Sequence, residues 1–117
     1  MQYNLKGTGV DLTVEVRGYI EKKLNGLDEL IHDEAARTDV ELAYLESEEK
    51  TYRAELMLHD GFVLRSVARG ESLHEAFDKA LRELFNELTR AKDKKRSLVR
   101  RGATRAKEFM RGWRRSV

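Results

Sequence analysis

The chain contains no cysteine and no proline. Without cysteine, disulfides and thiolate metal sites are excluded outright. Without proline, no X-Pro isomerisation can slow folding. Long apolar runs are missing as well: none approaches the roughly 20 residues that a membrane-spanning helix needs. The opening residues, Met1-Gln2-Tyr3-Asn4-Leu5-Lys6, lack the charged, apolar and small-residue sections of a signal peptide. A cytoplasmic protein is therefore expected. Catalytic signatures are absent too, with no G-x-S-x-G, P-loop or dinucleotide fingerprint. His32, His59 and His74 are scattered without ligand-like spacing, and no paired carboxylates sit beside a nucleophile. The expectation is a protein that is no enzyme, holds no metal or cofactor and takes no small-molecule substrate.

What the chain does have is charge, sorted by sign. Residues 1–71 carry 9 Lys/Arg against 15 Asp/Glu, whereas residues 72–117 carry 14 against 6. The last 28 residues hold 12 basic side chains and only two acids, Asp93 and Glu108. A cationic end beside an acidic body points to a polyanionic partner, with the body's own charge discouraging non-specific anions. RNA, DNA and an anionic membrane surface all satisfy that description.

At 117 residues the chain suits one two-layer core. The first seven residues alternate as a short strand, with Tyr3 and Leu5 on one face. After Gly7 and Gly9, Asp11 or Thr13 can cap a helix whose apolar stripe is Val16, Ile20, Leu24, Leu27 and Ile31. Asn25-Gly26 interrupts that stripe, so a bend or fraying is expected there. Alternation then predicts a strand around Val40, Leu42 and Tyr44, and another around Tyr52, Ala54, Leu56 and Leu58. The acidic run from Glu46 to Lys50 joins them. His59-Asp60-Gly61 makes a tight turn into a last strand, roughly Phe62 to Arg69. Ser72-Leu73-His74-Glu75 reads as a capping box, and the helix behind it buries Leu73, Phe77, Ala80, Leu81, Leu84, Leu88 and Ala91, continuing to near Ser97. Leu84 and Leu88 are expected in the core with Leu24 and Leu56. The order βαβββα predicts an α+β domain: a four-stranded mixed sheet, β1 and β2 joined in parallel by the first helix, both helices packed on one face. Domain boundaries follow as 1–97 for the βαβββα domain and 98–117 for a basic extension. Within the extension Val99, Ala103, Ala106, Met110 and Trp113 fall at helical spacing, while Gly102, Gly112 and mutual cation repulsion predict disorder when it is free.

Thr13 at the first cap, Glu21-Lys22-Lys23-Leu24, and Leu73-His74-Glu75-Ala76-Phe77-Asp78 opening a helix that ends Arg90-Ala91-Lys92 together resemble one family. It is the ribosome hibernation-promoting factors, also called ribosome-associated inhibitors, sigma-54 modulation proteins or S30EA-type proteins, in their short form. The resemblance covers residues 1 to about 96. It departs where Ser72, His74 and Phe77 replace the usual Asp, Tyr and Ile. It departs again along Glu83-Leu84-Phe85-Asn86-Glu87-Leu88, where members typically read Lys-Leu-x-Arg-Gln-Leu. The resemblance implies a fold related in shape to double-stranded RNA-binding domains. It also implies binding to the small ribosomal subunit and its rRNA in the decoding channel, so that idle ribosomes are silenced without catalysis.

The candidate RNA-binding residues follow. Lys92, Lys94, Lys95, Arg96, Arg100 and Arg101 form the densest cationic cluster, with more charge than a helix C-terminus requires. Lys79, Arg82, Lys22 and Lys23 lie off the apolar stripes of their helices, where they can flank a phosphate backbone. Arg90 and Lys92 match the basic end of the family motif, and Lys22-Lys23 its basic pair. Two other readings stay open: a general RNA-binding or regulatory protein with the same fold, and membrane-surface binding through the basic tail. A membrane is not the expected partner.

Overall fold

The computed structural model describes residues 1–31, 33–47 and 51–100, with the side chains of the last helix described as far as Asp93. Six elements follow one another: β1 (Gln2–Thr8), α1 (Val14–Asp28), β2 (Arg37–Leu45), β3 (Thr51–His59), β4 (Val63–Gly70) and α2 (Leu73–Arg100). Sheet order is the chain order, β1-β2-β3-β4. β1 runs parallel to β2, since the α1 crossover returns the chain in the same direction, and the two remaining pairs are antiparallel hairpins. The expected α+β, βαβββα mixed sheet is the observed one.

Alternation sets which face each strand buries. Leu5 pairs with Val40, Val40 with Leu56 and Leu56 with Ser66, so one row of the sheet points at the helices. The neighbouring row, Lys6, Glu41, Glu55 and Val67, points the other way. Against the inward face pack Ile20, Leu24 and Leu27 of α1 and Ala76, Phe77, Ala80, Leu81, Leu84 and Leu88 of α2, all buried. Leu84 and Leu88 share this core with Leu24 and Leu56, as their stripe required. Ser66 is the polar member of the inward row, and its hydroxyl donates to the Ala80 carbonyl at 2.7 Å, tying β4 to α2.

The helix ends show where local chemistry departs from expectation. Thr13 caps α1, its hydroxyl accepting from the Val16 N–H at 3.1 Å. α1 continues through Asn25-Gly26 and ends two residues later at Asp28. Leu24 and Leu27 are buried on either side of the glycine, and that packing outweighs a propensity penalty of about 1 kcal/mol. Past Asp28 the chain tightens, with Leu30 N–H donating to Leu27 O and Ile31 N–H to Asp28 O, both at 3.0 Å. Ile31 thus reaches the core from outside the helix. At the start of α2, Ser72 accepts from the Glu75 N–H as a capping box requires. The returning Glu75 carboxylate accepts one residue earlier than expected, from the Glu71 N–H at 3.2 Å. Gly70 makes this junction possible: a Cβ there would lie 2.8 Å from the Ala76 backbone nitrogen, which cannot move out of the way. α2 continues past Ser97 to Arg100. The rest of the predicted basic extension lies outside the described residues, as do most of the acidic β2–β3 run and His32. Among the described residues no helix is long and apolar enough to cross a membrane, and no group of three or more His, Cys, Asp or Glu is placed to hold a metal ion.

Candidate nucleic-acid interface

The layered fold leaves two surfaces for a partner: the open face of the sheet, and the outward faces of α1 and α2. On the open sheet face three arginines are engaged by carboxylates. Glu55 on β3 accepts from Arg53 at 2.8 Å and from Arg65 on β4 at 2.9 Å. These two guanidiniums, Arg65 first, hold the Glu55 carboxyl below the usual range. Asp39 on β2 accepts from the Asn4 amide at 3.0 Å and faces Arg37 at 3.3 Å and His59 at 3.2 Å. Asn4 is the largest cause of its lowered pKa, followed by the charges of Arg37 and His59. A shallow cavity of about 370 Å³ opens between these rows, lined by Asn4, Lys6, Asp39, Glu41, Glu55 and Met57 among others. Two of its three carboxylates, Asp39 and Glu55, are already occupied by arginines, and Lys6 stands beside Glu41.

The helical face differs. Lys22 and Lys23 are exposed on α1, and Arg82 and Arg90 are exposed on α2. Lys22, Arg82 and Arg90 form no ion pair among the described residues. Lys23 extends over the Tyr19 ring, its Nζ 5.5 Å from the centroid, a cation–π contact that leaves the ammonium charge in place. Lys79 is exposed but bridged to Glu75 at 2.9 Å, one turn earlier on α2, and it donates to the Arg69 carbonyl at 3.4 Å. The same pairing with Lys79, then the Glu71 N–H, lowers the Glu75 carboxyl pKa.

Lys92 is only partly exposed. Its Nζ donates to the Leu30 carbonyl just beyond the end of α1. α1 has no basic residue of its own in its last turn. Lys92 from α2 and the chain's amino terminus, 3.2 Å from Asp28, bring positive charge to that end instead. Lys92 thus has a structural use that the linear cluster does not reveal. Lys94, Lys95, Arg96 and Arg100 continue α2 as backbone, their side chains lying outside the described set, and Arg101 lies outside it altogether.

Two residues that the charge pattern did not single out organise this face. The Tyr19 hydroxyl on α1 donates to both Asp78 carboxylate oxygens on α2, at 2.6 and 2.8 Å. Burial, then the hydrogen bond and charge of Asp78, push the Tyr19 pKa up to about 12. His74 and Phe77 meet the Tyr19 ring edge-on, at centroid distances of 4.3 and 6.2 Å. This contact spans 59 residues of sequence, so no local spacing could signal it. Beside it the two helices leave a groove of about 300 Å³ lined by Lys23, Asp78, Leu81, Arg82 and Phe85. Phe85 is half-buried. A signal for it did exist: it is an aromatic residue standing off the apolar stripe of α2. Gly26 of α1 comes within ordinary contact of that ring, 3.9 Å from where a Cβ would sit.

Known proteins match this chain in sequence and in fold. Residues 3–96 match the family described as Sigma 54 modulation protein / S30EA ribosomal protein. The ribosome hibernation promoting factor of Escherichia coli (strain K12) is 27% identical over 95 residues, which is 80% of this chain and 96% of that protein. Its counterpart from Salmonella typhimurium is 28% identical over the same shares. The crystal structure of the Thermus thermophilus Protein Y N-terminal domain superposes with a TM-score of 0.65 at 30% identity, covering 74% of this chain and 92% of that one. A ribosomal subunit interface protein from Coxiella burnetii shares the fold, with a TM-score of 0.66 at 18% identity over 80% of this chain and 99% of that one. By sequence match and by fold, the chain belongs to the Sigma 54 modulation protein / S30EA ribosomal protein family.

Proposed function

We propose that this protein binds the small ribosomal subunit through its rRNA, lies in the decoding channel and holds idle ribosomes inactive. The family is one of non-enzymatic, ribosome-binding proteins, and relatives are named ribosome hibernation promoting factors, so a ribosome-associated, cytoplasmic role is the frame. The observation that carries the finer reading is the asymmetry between the two faces. On the sheet face Arg53 and Arg65 are tied to Glu55 and Arg37 to Asp39, with Lys6 the exposed cation beside them. Lys22, Arg82 and Arg90 on the helical face keep their charge available. Phosphates are neutralised by cations that need not first break an internal pair.

The mechanism is occupancy. Residues 1–97 act as a folded plug, held by phosphate contacts from Lys22, Lys23, Lys79, Arg82 and Arg90. The basic run Lys94, Lys95, Arg96, Arg100 and Arg101 extends that footprint along α2 and beyond it. Phosphate contacts carry little sequence information, so specificity comes from the shape of the rRNA cleft. The basic extension 98–117 serves as a cationic arm that steers encounter. A sucrose gradient of cell lysate probed for this protein tests the reading. Co-migration with 30S or 70S particles is expected, and confinement to the top fractions would overturn it.

A further inference from the structure

We propose that the groove between α1 and α2 is a nucleobase subsite: an unpaired RNA base stacks on Phe85, with Lys23 and Arg82 on its flanking phosphates and Asp78 accepting a base amino group. The inference rests on the RNA-binding reading above and adds to it a readout of base against backbone. Four observations converge on it. The groove of about 300 Å³ is large enough for a single base. Phe85 keeps part of its surface uncovered, although it adjoins Leu84, which is fully buried. Gly26 presents no side chain to the ring, where an added Cβ would lie 3.9 Å from its tip. Lys23 and Arg82, both exposed, line the groove from opposite helices.

The polar member of the lining gives the subsite a preference. Asp78 is fixed by the Tyr19 hydroxyl, which donates to both its oxygens. A carboxylate oxygen has more than one lone pair, so each can accept a further N–H. Cytosine offers the N4 amino donor that carboxylates accept, whereas uracil presents an oxygen there and is repelled. Single-stranded RNA is commonly held in this manner, its bases stacked on aromatic side chains while cations track the backbone.

The full chain is titrated by fluorescence anisotropy with labelled single-stranded RNA decamers of cytidine, of uridine and of abasic ribose phosphate. All three carry the same phosphate charge. The expected order of affinity is cytidine, uridine, abasic, with about tenfold between the first and last, within the range of a single base–aromatic stack. Phe85→Leu should bind all three alike, while Phe85→Tyr, which keeps the ring, should retain the order. Asp78→Asn keeps an acceptor for Tyr19 and should narrow the cytidine–uridine gap alone. Equal binding of cytidine and abasic decamers by the unaltered protein would overturn the subsite, and so would an undiminished preference in Phe85→Leu. If that happens while the protein still co-sediments with ribosomes, the subsite fails alone. If neither decamers nor ribosomes are bound, the phosphate-led reading falls with it.

Discussion

Truncating Leu84 removes a side chain with no exposed surface, enclosed between α2 and the sheet. Leu84→Ala should cost about 2–5 kcal/mol in chemical denaturation, because a packed site loses both transfer energy and the filling of its cavity. A loss below about 0.5 kcal/mol would mean that the site collapses freely and is not a packed core. Tyr19 offers a test through pH. Its folded pKa, about 12, lies above the ordinary 10.0, so the folded state retains the proton longer than the unfolded chain. The stabilisation is therefore complete below pH 10 and is lost as pH rises toward 12. Tyr19→Phe should be less stable than the parent at neutral pH, and the gap should close between these two values. A gap independent of pH would show that the hydroxyl's bond to Asp78 contributes nothing.

Among the elements, the β3–β4 hairpin carries the clearest polar device, Glu55 held between Arg53 and Arg65. Because the Glu55 pKa is lowered from 4.5, its contribution is present above that value and lost as pH falls through the folded one. Glu55→Gln should cost about 0.5–1 kcal/mol at pH 7, as an ion-pair network at a half-exposed site does. That difference should shrink as pH falls below 4.5 and vanish once the folded state takes up the proton, measured by melting at pH 7 and at successively lower pH. The strands were legible from the sequence because alternation marks a sheet with one buried face: Ala54, Leu56 and Leu58 could point only one way. The capping of both helices was legible because Thr13 and Ser72 act on N–H groups three residues away. What the chain order concealed lies between elements. The Tyr19–Asp78 bond and the reach of Lys92 to Leu30 depend on where α2 lands beside α1. At Gly26 the propensity is local, while the burial of Leu24 and Leu27 that carries α1 past it is tertiary. Of the candidate cations, solvent-facing placement of Lys22, Lys23, Lys79 and Arg82 followed from their positions off the stripes. The pairing of Lys79 with Glu75 was also written in their four-residue spacing, though only the fold reveals how it lowers the charge that Lys79 offers.

Across the whole molecule, charge is divided between a body whose pairs close on themselves and a cationic end. Deleting residues 98–117 removes seven Lys/Arg and Glu108, taking the net charge from +2 to −4. The remaining chain keeps all four strands and every residue of both helices that is buried among the described ones, so it should melt cooperatively. It should also associate with ribosomes more slowly, since the steering field is weaker. Stopped-flow association that is unchanged by truncation would make the tail a bystander, and binding lost to anionic vesicles alone would give it to membranes. The central claim is that exposed cations on the helical face hold the protein to rRNA phosphates. It is tested most directly by measuring ribosome affinity against salt, for the parent and for Lys22→Glu/Lys23→Glu/Arg82→Glu. With roughly five phosphates contacted, log affinity should fall against log salt at a slope of about −4, each contact adding 0.7–0.9. The triple variant should bind far more weakly and with a shallower slope, at an unchanged melting temperature. A flat salt dependence in the parent, or a triple variant that binds as the parent does, would contradict the account.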